Sequence, residues 1–85
     1  MTAGPGPGRD LLDGLVAIWA ATLGRDCEED TDLLLEGVDS LAILRMTGPI
    51  GELVGAPVSV GAVLDAPTPR ELAEMLHAAA PRSDR

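Results

Sequence analysis

Aromatic side chains are almost absent from this 85-residue sequence, which has one tryptophan and neither phenylalanine nor tyrosine. A core without other aromatic rings has to be built from leucine, valine, isoleucine, methionine and alanine, which can pack at helical spacing. The hydrophobic fraction of 46% is too high for a disordered segment. A chain of this length folds as one domain that is too small to enclose a large ligand cavity.

Cysteine and long hydrophobic runs are also scarce. The single cysteine, Cys27, excludes an internal disulfide and fits a reducing compartment. The longest apolar run, LVAIWAATL at residues 15–23, is far too short to span a bilayer. The N-terminal residues lack the apolar stretch of a signal peptide. These observations predict a soluble, cytoplasmic protein.

Basic residues are few, since six arginines and no lysine stand against 14 acidic residues, and the net charge is −8. Binding of nucleic acid needs clustered lysine and arginine, so that class of function is excluded. Seven acidic residues lie between Arg25 and Arg45 with no basic residue among them: Asp26, Glu28, Glu29, Asp30, Asp32, Glu36 and Asp39. This stretch is either a solvated loop or an electronegative face that attracts basic partner proteins.

The N-terminal half of the sequence predicts a helix followed by a long loop. Apolar residues recur at helical spacing at Leu12, Leu15, Val16, Trp19 and Leu23. Asp10 is predicted to cap this helix, Asp13 to lie in its first turn, and Gly24 to end it. Residues 25–38 are predicted as an acidic loop, which the leucines at 33–35 anchor onto the core.

The C-terminal half predicts three more helices. The second begins near Asp39, and we expect Pro49 to kink or break it, because proline has no N–H to donate within the helix. A short helix at residues 60–65 would turn Val60, Val63 and Leu64 inward. The last helix should begin with a Thr68 cap, Pro69 in first position and Glu71 in a capping box. Its buried positions would be Leu72, Met75, Leu76 and Ala79, with Pro81 ending it.

The predicted fold class is therefore all-α, a small helical bundle of three main helices and one short helix. The domain is expected to span residues 9–80. A flexible leader rich in glycine and proline, residues 1–8, and a flexible tail, residues 81–85, would flank it.

Ser40 follows a glycine-containing stretch and is predicted to lie in the first turn of the second helix. Exposed N–H groups and the helix dipole favour negative charge there, so a phosphate on the serine hydroxyl would be well accommodated. The local sequence also fits a simpler hypothesis, in which Ser40 only caps the helix.

The order of the segments along the chain resembles the acyl and peptidyl carrier protein family. A helix ends in IWAATLG, an acidic loop follows, LLLEGVDSLAILRM leads into the second helix, and APTP precedes the last. In that family a serine in a G-x-D/H-S-L motif starts the second helix, and the loop between Gly24 and Gly37 has the usual length. The resemblance covers about residues 10–80 and implies the carrier-protein type of bundle.

The resemblance implies that Ser40 is the attachment point of 4′-phosphopantetheine, with Asp39 and Leu41 as flanking motif residues. A phosphopantetheinyl transferase would transfer this arm from coenzyme A, and the arm's thiol would hold the cargo as a thioester. The carrier would do no chemistry itself, but would present its cargo at high effective concentration. The expected docking residues for partner enzymes are Leu41, Val60 and Glu36.

Within the family the chain is most similar to a discrete type II peptidyl carrier protein of nonribosomal peptide synthesis, because of AIWAATLG and the loop length. That branch implies a monomer that carries an aminoacyl group and has an adenylation enzyme and condensation or tailoring enzymes as partners. Val38 replaces the second glycine usual in peptidyl carriers, and GVDSL is also common in acyl carriers. An acyl carrier protein of polyketide or fatty-acid-type biosynthesis thus remains an alternative.

Two other classes of function fit less of the sequence. A hydrolase would use Ser40 as its nucleophile, but the only candidate base is His77 in the last helix. An unmodified acidic helical interaction module would keep every partner after loss of the Ser40 hydroxyl. No metal site is expected, because one histidine and one cysteine make no ligand set and the acidic loop lacks the pattern of a calcium loop.

Overall fold

The computed structural model describes residues 7–79, which form four helices. They are α1 (Pro7–Leu23), α2 (Ser40–Val54), α3 (Val60–Asp65) and α4 (Pro69–Ala79). α1 contacts both α2 and α4, and α2 also contacts α3. The predicted all-α bundle of three main helices and one short helix is confirmed. None of the described helices is long and apolar enough to cross a membrane.

α1 begins earlier than predicted. Pro7 is its first residue, so Asp10 lies in the first turn instead of capping the helix, and Asp13 lies beyond that turn. Proline suits the first helical position, where its missing N–H would have no partner in any case. The helix therefore starts inside the segment 1–8 predicted as a leader. The rest of that segment and the predicted tail, 81–85, lie outside the described residues.

Two glycines shape α1. Gly24 ends the helix as predicted, with a φ of +73° and an N–H that donates to the Ala20 carbonyl at 2.8 Å. Gly14 lies inside the helix, where a Cβ would come within 2.7 Å of the Leu53 Cδ2 atom of α2. The absence of a side chain at Gly14 thus lets Leu53 pack directly on the α1 backbone.

The core is aliphatic apart from Trp19, the largest fully buried side chain. All four helices and the long loop contribute to the buried apolar set: Leu15, Trp19, Leu33, Ile43, Met46, Ile50, Val63, Ala66 and Leu72. The Trp19 indole Nε1 donates a hydrogen bond to the Pro67 carbonyl oxygen at 3.0 Å. The one polar atom of this side chain is thus satisfied inside the domain.

The buried face of α1 is wider than the predicted stripe. Leu15 and Trp19 are fully buried and Leu23 packs against the core as predicted. Leu11 and Ile18 also pack against it, whereas the predicted Leu12 and Val16 are half-buried outside the core cluster. The reason is that α1 contacts α2 and α4 together, so a single line of positions along the helix does not describe its packing.

α2 continues through Pro49 without the predicted break, from Ser40 to Val54. Ile43, Met46 and Ile50 are buried on both sides of the proline, so core packing holds the helix together where one backbone hydrogen bond is missing. Pro49 itself is exposed, which leaves its ring away from the core.

Replacing Pro49 by alanine should stabilise the domain. Alanine restores the N–H that the Arg45 carbonyl lacks, and we expect the free energy of unfolding to rise by about 2 kcal/mol after allowance for the more flexible unfolded chain. Urea unfolding followed by circular dichroism measures this change. The helical signal of the native state should hardly change, because residues on both sides of Pro49 are already helical. A lower midpoint for P49A would show that the proline ring itself contributes packing.

α3 occupies the predicted residues 60–65, but its predicted inward face is only partly correct. Val63 is fully buried and Val60 is half-buried, whereas Leu64 is 41% exposed, so the inward prediction for Leu64 is wrong. A helix of six residues makes fewer than two turns, and successive side chains point about 100° apart, so with Val63 directed into the core the Leu64 side chain is left at its edge.

α4 begins at Pro69 with the predicted Thr68 cap, but of the two bonds of the predicted capping box only the one accepted by Thr68 forms among the described residues. The Thr68 Oγ1 atom accepts a hydrogen bond from the Glu71 N–H at 3.0 Å and caps the helix. Leu72 is fully buried, and the two predicted apolar positions after it are half-buried. The side chain of Ala79 and the predicted stop at Pro81 lie outside the described residues.

Candidate functional site

Ser40 is the first residue of α2, and its side chain is exposed. The cap of the helix is Asp39, whose Oδ1 atom accepts a hydrogen bond from the Ala42 N–H at 2.9 Å. Nothing between residues 7 and 79 forms a hydrogen bond with the Ser40 hydroxyl. The hypothesis that Ser40 is a capping residue is therefore wrong, and its hydroxyl is left available to react.

A hydrogen-bonded turn leads into Ser40. We call residues 33–37 the leucine turn. Asp32 Oδ1 accepts hydrogen bonds from the Leu34 N–H at 2.8 Å and the Leu35 N–H at 3.2 Å, so the turn has its own cap. It ends at Gly37, whose φ of +79° would strain any residue with a side chain. The next N–H, that of Val38, donates to a carbonyl at the start of the turn.

The three leucines of this turn do not share one environment. Leu33 is fully buried, as predicted, but Leu34 is 49% exposed and Leu35 is 86% exposed. A single helical turn can direct only one of three consecutive side chains into the core. The prediction that all three anchor the loop is therefore wrong for two of them.

The Pro67 carbonyl oxygen fixes the leucine turn to the rest of the domain. It accepts the indole N–H of Trp19 at 3.0 Å and the backbone N–H of Leu33 at 3.1 Å. One acceptor just before α4 thus joins α1 to the long loop. The position of the leucine turn, and of Ser40 after it, therefore depends on the folded core.

Arg70 holds the preceding part of the loop, a role that the sequence did not suggest. Its backbone N–H donates to the Glu29 carbonyl at 2.9 Å, and its side chain pairs with Asp30 at 2.9 Å and with the Glu29 carboxylate at 2.6 Å. Hydrogen bonding to Asp30 and the charges of Asp30 and Glu29 raise the pKa of Arg70. In the sequence, the only sign of this role was an arginine directly after Pro69, because its partner Asp30 lies 40 positions away.

A second arginine offsets part of the negative charge of the acidic stretch. Arg25 pairs with Glu36, and this hydrogen bond together with the Glu36 charge raises the pKa of Arg25. Of the seven acidic residues between Arg25 and Arg45, three are thus paired with arginine: Glu29, Asp30 and Glu36. Two others accept backbone N–H groups through their side chains: Asp32 and Asp39. The free electronegative surface is smaller than the count of carboxylates indicates.

The predicted docking residues differ in their exposure. Leu41, next to Ser40, is 54% exposed. Val60 is half-buried as the first residue of α3, behind a Ser59 cap. Glu36 is exposed, but its carboxylate is engaged by Arg25. The structure adds Leu44, also 54% exposed and one turn after Ser40, which sequence reasoning missed although its i+4 spacing was visible.

The groups that a hydrolase or a metal site would need are not assembled around Ser40. His77 lies on α4 and lines a groove with Leu12 of α1 and Arg70. Cys27 is half-buried, with its Sγ atom 3.5 Å from the Arg25 carbonyl oxygen. In the part of the chain that the structure describes, no group of three or more His, Cys, Asp and Glu residues could hold a metal ion.

Comparisons with known proteins agree with this geometry. The family described as "Phosphopantetheine attachment site" matches residues 13–76, which include Ser40. Among solved structures, the chain is similar to BlmI, a type-II acyl-carrier-protein from Streptomyces verticillus involved in bleomycin biosynthesis. The two share 33% sequence identity with a TM-score of 0.77, over 84% of this chain and 87% of that chain. No curated protein matches the sequence.

Proposed function

We propose that this chain, which belongs to the family of carrier proteins with a phosphopantetheine attachment site, holds its arm on Ser40 and carries an aminoacyl group on it. As a member of that family the chain is a carrier protein and not an enzyme, and its covalent group is 4′-phosphopantetheine. The observation that carries the assignment to Ser40 is its exposed, unbonded hydroxyl at the first position of α2.

The residues around Ser40 fit a 4′-phosphopantetheine group. Asp39 uses its side chain and its carbonyl oxygen to satisfy the N–H groups of Ala42 and Ile43, while the N–H groups of Ser40 and Leu41 have no partner among the described residues. Unsatisfied N–H groups at a helix N-terminus favour an anion, so a phosphodiester on Ser40 would be stabilised there. When bound, the arm supplies a terminal thiol that holds the cargo as a thioester.

Partner enzymes are proposed to dock around this site through Leu41 and Val60, with Glu36 at the edge. Leu41 offers an exposed apolar side chain directly beside the attachment residue, and α3, which begins with Val60, contacts α2. The Arg25 pairing makes Glu36 a weaker source of electrostatic attraction than its charge alone would be. Docking at this surface should therefore depend more on apolar contact than on charge.

The peptidyl branch is the more specific part of the proposal. AIWAATLG at the end of α1 and the length of the following loop support it. The partners would be a phosphopantetheinyl transferase, an adenylation enzyme, and condensation or tailoring enzymes of nonribosomal peptide or other natural-product biosynthesis. The protein would act as a monomer in the cytoplasm. The alternative is an acyl cargo in polyketide or fatty-acid-type biosynthesis, which GVDSL and Val38 support.

The attachment site is tested by incubating the protein with coenzyme A, Mg²⁺ and a broad-specificity phosphopantetheinyl transferase. Intact mass spectrometry should show a gain of one phosphopantetheine arm, and peptide mapping should locate it on the Ser40 peptide. A folded sample that gains no mass, or that gains it on another residue, would refute the assignment. The holo form would then be offered aminoacyl and acyl donors in parallel. Preferential loading with acyl groups would replace the peptidyl branch by the acyl branch.

A further inference from the structure

Leu35 is the most exposed large apolar side chain of the described residues, at 86%. Its neighbour Leu34 is 49% exposed. Single exposed leucines are common on protein surfaces, and exposure alone says little. Leu34 and Leu35 are not isolated in this way, because they are consecutive, belong to a hydrogen-bonded turn and lie just before the attachment residue.

Hydrogen bonds at both ends hold the leucine turn in the shape that the structure shows. The Asp32 carboxylate accepts the N–H groups of Leu34 and Leu35, and the Glu36 N–H donates to the Asp32 carbonyl at 3.0 Å. At the other end, the Val38 N–H donates to the Leu33 carbonyl at 3.1 Å. Binding a rigid segment costs less conformational entropy than ordering a flexible loop, so an apolar contact made by Leu35 would contribute nearly its full value.

The turn is also close to Ser40. Ser40 lies five positions after Leu35, so their Cα atoms are at most about 18 Å apart even for an extended chain, and the closed turn shortens that distance. Enzymes that act on cargo at the end of a long arm can dock at a distance from Ser40. The enzyme that forms the bond to the Ser40 hydroxyl cannot, because its active site has to reach that oxygen.

The surroundings of Leu35 also limit the chemistry of its partner. Glu36 follows it directly, Asp32 precedes the turn, and Asp39 follows it, while Arg25 is the one basic side chain paired with this part of the loop. A surface that covers the turn would meet an apolar tip surrounded mainly by carboxylates. The complementary surface is an apolar pocket with lysine or arginine at its rim.

From these observations we infer that the leucine turn is a docking element for the phosphopantetheinyl transferase, which receives Leu35 in an apolar pocket with a basic rim. The inference rests on the proposed function, because it concerns the enzyme that modifies Ser40. The inferred contact adds to the proposed docking surface around Leu41. It also gives a role to Leu35, which is exposed and does not pack in the core.

The test measures the initial rate of arm transfer to L35Q, with coenzyme A and Mg²⁺, against carrier concentration. Loss of a buried leucine contact should lower kcat/KM about tenfold, through KM. L35M keeps an apolar side chain and should remain within about twofold of the original chain. L53Q is the control for distance, because Leu53 is 40% exposed and lies about 20 Å along α2 from Ser40. Since Leu53 also packs on α1 at Gly14, the control counts only if L53Q is folded. Its kcat/KM should not change.

The dependence on salt concentration distinguishes the apolar contact of Leu35 from the charged contacts around it. Raising the ionic strength should lower kcat/KM for the original chain and for L35Q by the same factor, since the charged rim is screened and the apolar contact is not. The ratio between the two proteins should stay constant. Thermal unfolding by circular dichroism checks that L35Q, L35M and L53Q are all folded.

Equal kcat/KM values for L35Q and the original chain would overturn the inference while leaving Ser40 as the attachment residue. A dimer that L35Q disperses in sedimentation velocity would also overturn it, since the occupant of the turn would then be a second copy. Failure of the original chain to accept any arm would instead refute the proposed function, and this inference with it. Failure of this inference can therefore be distinguished from failure of the proposed function.

Discussion

Ser40→Ala should remain folded and gain no phosphopantetheine. The side chain is exposed and forms no hydrogen bond with any residue from 7 to 79, so its removal should change the free energy of unfolding by less than about 0.5 kcal/mol. The loss of the arm should nevertheless be complete, because the hydroxyl oxygen is the atom that would bond to phosphorus. Intact mass after exhaustive incubation with transferase and coenzyme A measures this directly.

Ser59→Ala is the matched control for that experiment. Ser59 is also an exposed serine at a helix N-terminus, but its Oγ atom accepts the Ala62 N–H at 3.1 Å and caps α3. S59A should lose about 1 kcal/mol of stability and still gain one arm. Comparing S40A with S59A thus separates the loss of the atom that is modified from the destabilisation of a helix N-terminus. An arm found on S40A would place the attachment residue elsewhere in the chain.

Trp19→Ala should have the largest effect on stability. Removing a buried tryptophan costs about 3–5 kcal/mol, since the cavity left behind collapses only in part. A domain of 85 residues has a total stability of about 4–13 kcal/mol, so W19A should lose a large share of it, and it should be mostly unfolded only if the original chain lies at the low end of that range. The change also leaves the Pro67 carbonyl without its indole donor. Far-UV circular dichroism during urea unfolding is the suitable measurement, because the variant has no tryptophan to report by fluorescence.

Trp19→Phe separates packing from hydrogen bonding. Phenylalanine keeps most of the buried ring but cannot donate to the Pro67 carbonyl, so we expect a loss of about 1–2 kcal/mol, well below that of W19A. The Leu33 N–H still reaches the same oxygen, which limits the penalty. A loss in W19F as large as in W19A would mean that the hydrogen bond dominates over packing at this position.

Much of the fold was predictable from local sequence. The start of α4 follows from Thr68 and Glu71, which lie three residues apart, and the end of α1 follows from one glycine. The continuity of α2 was not predictable in the same way. Pro49 argues for a break, and only the burial of residues on both sides of it, a tertiary effect, shows why the helix continues.

The site was predictable in its position but not in its details. The motif placed Ser40 at the start of α2, but Asp39 and Ser40 are both good caps, and sequence alone could not decide which one accepts the Ala42 N–H. The fixation of the loop by Arg70 joins residues 40 positions apart, which no helical or strand periodicity reveals. The exposure of Leu35 was missed for the same reason, since it depends on which face of a short turn the core covers.

The shared acceptor at Pro67 has a consequence for how the long loop opens. Because the Leu33 amide and the Trp19 indole donate to the same oxygen, Leu33 can exchange its amide hydrogen for deuterium only when its attachment to the core is broken. Residues 26–28 donate no backbone hydrogen bond to the core, although the Glu28 N–H bonds to Thr31 within the loop. Residues 26–28, which precede the Arg70 contacts of Glu29 and Asp30, should therefore exchange first, and Leu33 only when the core opens. Ser40 follows Leu33, so its presentation should persist while residues 26–28 exchange.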